Sequence, residues 1–121
     1  MTEDQQLSIF LNGKTEYTLG LFRFFIDKVS SIAEVTILPN KSMITLQGKH
    51  KFLHITQLGK NFIHVVIPFN QKFEDNLCFT KIAQVPNTLQ FNHHLRIYFT
   101  EDFNEEVMSF IKIAYEGLNR A

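Results

Sequence analysis

Three histidines, an arginine and a tyrosine in this 121-residue chain sit at spacings that allow them to converge on one ligand. His54 and His64 flank a Gly-Lys turn, and His94, Arg96 and Tyr98 alternate with Leu95, Ile97 and Phe99 further along. Imidazoles bind metals, move protons near neutral pH or donate hydrogen bonds. A guanidinium grips anions, and a phenol offers a ring face and a hydroxyl. Whether they meet depends on register. If Gly59-Lys60-Asn61 closes a three-residue hairpin loop, residues 58 and 62 pair, and even-numbered residues share a side. That side reads His54, Thr56 and His64, and gains His94, Arg96 and Tyr98 if the last strand enters the same sheet in matching orientation. The odd side reads Leu53, Ile55, Ile63, Val65 and Ile67 and is the expected core. His54 and His64 then become diagonal neighbours, roughly 7–8 Å apart at the backbone. A one-residue slip would part them.

Three uses compete for that polar side. The residues are simply solvated on the wet face of an antiparallel sheet, or they bind a small anionic or aromatic ligand or an extended segment of a protein or nucleic acid, or they catalyse. The catalytic use has the least support. The chain has no H-E-x-x-H, C-x-x-C, nucleophile elbow or phosphate loop, and the strands that carry the histidines offer no carboxylates to orient them as metal ligands. Adjacent His93 and His94 point opposite ways in an extended chain. Cys78, in an apolar run beside Phe79, reads as a core thiol.

The elements that must position these residues follow from the pattern. Thr2 and Gln5 form a capping box for a first helix that Gly13 ends. Thr15 caps a second, whose stripe is Tyr17, Leu21, Phe24, Phe25, Val29 and Ile32. A strand is expected at Glu34–Leu38, then a three-stranded meander over Met43–Phe69 with turns at Gly48 and Gly59. Leu77–Val85 and Leu95–Phe99 add two more strands. Thr100 or Asp102 caps a last helix carrying Phe103, Val107, Phe110, Ile111, Ala114 and Leu118. With no βαβ alternation, the order predicts one α+β domain over residues 1–121. Its five- or six-stranded, mostly antiparallel sheet has two N-terminal helices and one C-terminal helix packed on one face.

Composition sets the partners. Twelve basic and twelve acidic residues cancel, so no overall field gathers phosphate backbones. Lys49 and Lys51 lie at one end of the meander and Lys60 at the other, which disfavours direct nucleic-acid binding. No apolar run approaches the ~20 residues a bilayer span requires. The acidic, amide-rich start and the single Cys78 point to a cytoplasmic protein. Thirteen Phe and no Trp exceed what one core is expected to enclose, so a homodimer through an aromatic patch or an edge strand is expected.

The segments EVTILPNKSMITL, GKHKFLHI and HHLRIYFTEDFNEEVMSFIKIAYE, with the preceding helix, resemble a small bacterial family catalogued as domain of unknown function 5655. The resemblance runs from about Leu11 to the end. It implies a module found alone or behind other domains, some nuclease-like, with no established activity or catalytic residues. The reading that results is a cytoplasmic binding or protein-interaction module. It uses His54, Thr56, His64, His94, Arg96 and Tyr98, takes an unidentified small molecule or protein segment, and involves no cofactor or bound metal. The alternative is a metal- or histidine-dependent enzyme on the same face.

Overall fold

A computed structural model describes residues 2–117. Helix α1 (Glu3–Leu11) starts at the capping box of Thr2 and Gln5, and α2 (Glu16–Ile32) starts at Thr15, whose hydroxyl accepts from Thr18 N–H. Six strands follow: β1 (Thr36–Pro39), β2 (Ile44–Gln47), β3 (Lys51–Leu58), β4 (Ile63–Phe69), β5 (Lys81–Gln84) and β6 (Phe91–Ile97). A 3-10 turn at Thr100–Asp102 leads into α3 (Glu105–Glu116). The strands form one antiparallel sheet ordered β1-β2-β3-β4-β6-β5, an α+β arrangement as the pattern predicted.

One face of the sheet holds the core. Leu53, Ile55, Ile63, Val65, Ile67, Leu95 and Ile97 pack against Phe22, Phe25 and Val29 of α2 and Val107, Phe110 and Ile111 of α3. His93 joins them, fully buried and edge-on to Phe69 and Phe79, with ring centroids 4.8 and 4.9 Å away. Its Nδ1–H donates to the Phe91 carbonyl, and its Nε2 accepts from Phe73 N–H at 3.0 Å. It therefore ties the 70–80 segment to the sheet. Seven Phe are buried, and Phe99 is the one that is exposed, so the core encloses more rings than the composition suggested.

The hairpin register differs from the expected one in an instructive way. The turn spans four residues, closed by Gly59 N–H to the Phe62 carbonyl at 2.8 Å, so Leu58 pairs with Ile63 rather than with Phe62. Alone, that shift would have put His54 and His64 on opposite faces. A bulge at Thr56 takes up one extra residue, and beyond it Ile55 faces Val65 and His54 faces Val66, as expected. Shift and bulge cancel.

Other boundaries move too. β1 starts at Thr36, since Glu34 and Val35 lie outside the ladder. β5 is only four residues, because the backbone from Leu77 to Thr80 forms turns. β6 starts at Phe91 and stops at Ile97, so both histidines lie within it. Asn104 caps α3 instead of Thr100 or Asp102. Asp102 Oδ2 instead accepts from Tyr98 and Phe99 N–H. Tyr17 is 47% exposed, with Thr18 buried in its place on the α2 face. Leu118 lies outside the described residues.

Candidate functional site

The open face of the sheet is built by side chains that alternate away from the core. In one row across the strands stand Thr45, His54, Val66, His94 and Lys81; in the next, Gln57, His64 and Arg96. None of the six described strands carries an Asp or Glu. The sheet therefore presents no acidic group on this side, where His54, His64, His94, Lys81 and Arg96 stand beside apolar Val66.

His64 on β4 and Arg96 on β6 are cross-strand partners, with His94 two residues before Arg96. Arg96 Nε–H donates to His64 Nδ1 at 3.1 Å, and His64 Nε2 lies 2.9 Å from His94 Nδ1. Arginine is always a donor, so His64 must accept at Nδ1 and carry its proton on Nε2. It then donates to His94 Nδ1, which places the proton of neutral His94 on its Nε2. The direction of this chain is fixed from the arginine end. Partial burial lowers the pKa of His64, and repulsion from His94 whenever that ring is protonated, and from Arg96 and Lys81, lowers it further. Burial and Lys81 lower that of His94. Both rings are thereby held neutral around pH 7.

Arg96 is steadied from below. Its guanidinium carbon sits 4.3 Å from the centre of the Phe62 ring, and Nη1 donates to the Tyr98 hydroxyl at 3.4 Å. The Phe62 and Tyr98 rings are 5.5 Å apart. Phe62 reaches this place because it crosses Gly59, where a Cβ would come within 2.2 Å of its ring.

His64, His94, Arg96 and Tyr98 line a concavity of about 420 Å³ together with Thr80 and Lys81. Four of the six residues singled out from the sequence are thus brought together. His54 is not among them. It stays diagonal to His64, but its Nδ1 lies 2.8 Å from Thr45 Oγ1, and burial and Lys51 lower its pKa. Thr56 is the bulge residue, and Gln57 takes its place opposite His64. Sequence reasoning missed Thr80, Lys81 and Phe62. Lys81 fell within the expected fifth strand, but nothing in the pattern placed that strand beside β6. Phe62 was assigned to a strand, not to the turn.

Among the described residues, no group of three or more His, Cys, Asp or Glu is gathered to hold a metal ion. Burial, and after it the Glu106 carboxylate, push the Cys78 thiol up to about 12, so it is no nucleophile near neutral pH. A larger depression of about 690 Å³ near Glu34, Lys49 and Tyr115 pairs an acid with a base and selects neither sign of ligand. No described helix is long and apolar enough to cross a membrane.

The chain matches no curated protein and no solved structure. The sequence model of a domain of unknown function, DUF5655, matches residues 8–117, which includes every strand of the sheet and all the residues of the concavity. The chain belongs to the DUF5655 family.

Proposed function

We propose that the protein is a cytoplasmic binding module that takes up an anionic group, from a small molecule or a protein segment, in the concavity beside β6. The observation that carries this reading is the lining: Lys81, Arg96, His94 Nε2 and the Tyr98 hydroxyl, with no carboxylate among them, while the Thr80 hydroxyl donates to the His94 carbonyl at 3.3 Å. A carboxylate or phosphate there would meet the Lys81 ammonium and donors of β6 that His64 and Tyr98 hold in place. Lys49 and Lys51 stay at one end of the meander and Lys60 at the other, so the surface offers no basic stripe for a phosphate backbone.

Titration with acetate and inorganic phosphate at low salt, followed by amide and side-chain NMR shifts, tests it. Shifts should gather on Thr80, Lys81, His94 and Arg96 and vanish in Arg96→Ala, while His54→Ala keeps them. Silence of these residues up to tens of millimolar anion rejects the reading.

The histidine-dependent enzyme stands second, favoured by the direct His64–His94 hydrogen bond. Stoichiometric zinc in protein purified without a histidine tag, lost in His64→Ala, would reverse the order. The reading also includes a homodimer through the exposed pair Tyr17 and Phe99, which border a depression of about 550 Å³ with Phe24.

A further inference from the structure

Strand β5 covers only part of β6. Their ladder runs from Gln84 opposite Phe91 to Lys81 opposite His94, whereas β6 continues to Ile97. The carbonyls of Gln90 and His94 both face the β5 side, accepting from Val85 N–H at 2.9 Å and Thr80 N–H at 2.8 Å. Backbone groups in an antiparallel strand change sides at every residue. The N–H and C=O of Arg96 are therefore turned to that same side, where β5 has ended. Two residues further on, the edge is occupied again. Asp102 Oδ2 accepts from Tyr98 N–H at 2.9 Å, and the Tyr17 hydroxyl donates to the Tyr98 carbonyl. A gap one residue wide is left between Thr80 and Asp102.

Two concavities meet at this gap. One is the polar concavity above; the other, of about 310 Å³, lies toward the helix face and shares Thr80, Arg96 and Tyr98 with it. Leu95, Ile97 and Val107 contribute to its lining, and Leu77, 99% exposed, stands at its rim.

We propose that a peptide segment enters this gap in extended conformation and pairs through one residue with the Arg96 backbone, that residue being acidic with an apolar residue next to it. The inference deepens the anion-binding reading and rests on it. In such a segment, consecutive side chains point to opposite faces of the sheet. The residue that exchanges backbone hydrogen bonds with Arg96 sends its side chain to the open face, among Lys81, His94 and the Arg96 guanidinium, where a carboxylate fits. Its neighbour's side chain points to the helix face, where Leu77, Leu95, Ile97 and Val107 take an apolar group. Glu106 lines that second concavity and disfavours another acid there. The recognised unit is thus an adjacent apolar and acidic pair in extended backbone, the pairing groups of the main chain supplying affinity and the two concavities supplying selectivity.

The probe is a capped, fluorescein-labelled peptide with Leu-Glu at its centre, followed by anisotropy against the intact protein. Leu-Gln, Ser-Glu and an N-methylated central Glu are each expected to weaken binding about tenfold or more, the worth of one charge-assisted hydrogen bond or one buried apolar side chain. Lys81→Ala, an exposed position that leaves the fold alone, should weaken the Leu-Glu peptide and not the Leu-Gln peptide. Equal binding of the N-methylated and parent peptides overturns the proposal, as does equal binding of Leu-Gln and Leu-Glu. If acetate still shifts Arg96 and Lys81 while no peptide binds, the peptide inference falls and the anion site stands. If neither binds, both fall.

Discussion

Ile97 and Arg96 are neighbours in sequence with opposite fates. Ile97 is 1% exposed against the helices, so Ile97→Ala should cost about 2–5 kcal/mol in urea unfolding, by lost burial and a residual cavity. Arg96→Ala should change stability by about 1 kcal/mol or less, since the guanidinium is solvated, yet abolish anion binding. Equal destabilisation by the two would place Arg96 inside the fold. His93 makes the pH prediction. Burial lowers its pKa, offset in part by its bond to the Phe91 carbonyl and helped by His94. His54, His64 and His94 move the same way. The unfolded chain takes up protons at the ordinary imidazole value of about 6.5, and the folded chain only below it. Stability is thus fully present above about pH 7.5 and declines as pH falls through 6.5. His93→Phe should be less stable at pH 7.5, having left Phe73 N–H without its acceptor, and should show a shallower decline of Tm with acid. An unchanged slope would rule out His93 as a contributor.

At the scale of elements, the face assignment survived a wrong turn because two irregularities offset each other. Alternation in β4 and β6 is unbroken, so the outward places of His64, His94 and Arg96 could be read from period two alone. β3 could not be read that way, since Gln57 and Leu58 have the opposite parity to His54 and Leu53. Nor could the pairing of β5 with β6, which rests on contacts far apart in sequence. The helix caps were legible at Thr2 and Thr15, where hydroxyl and first turn are adjacent. They misled at Thr100 and Asp102, because a 3-10 turn comes before α3. The bulge yields a test. Deleting Thr56 should give a regular hairpin that keeps His54 opposite Val66 and folds, as cross-strand NOEs would show. Inserting a second residue there should turn Lys51–Ile55 over and unfold the protein. A deletion that unfolds the chain would mean that the bulge itself is required.

For the whole molecule, the aromatic surplus inferred from composition is spent inside. Phe69, Phe73 and Phe79 pack edge-on or tilted about His93, and Phe110 packs against all three. What remains outside is Phe99, 59% exposed, near Tyr17. Sedimentation equilibrium should therefore show a dimer that Phe99→Ser dissociates; a monomer at high concentration removes the homodimer from the reading. The absence of acidic side chains on all six strands has a further consequence for a chain whose formal charges cancel. Neutral in sum, the protein is locally lopsided. An approaching anion feels little at long range, then within about a Debye length, ~10 Å at 0.1 M salt, is drawn to the sheet and turned toward it. Capture should slow as salt is added, although nothing in the isoelectric point announces it, and a column of sulfonate beads near pH 7 should delay the wild type more than Arg96→Ala.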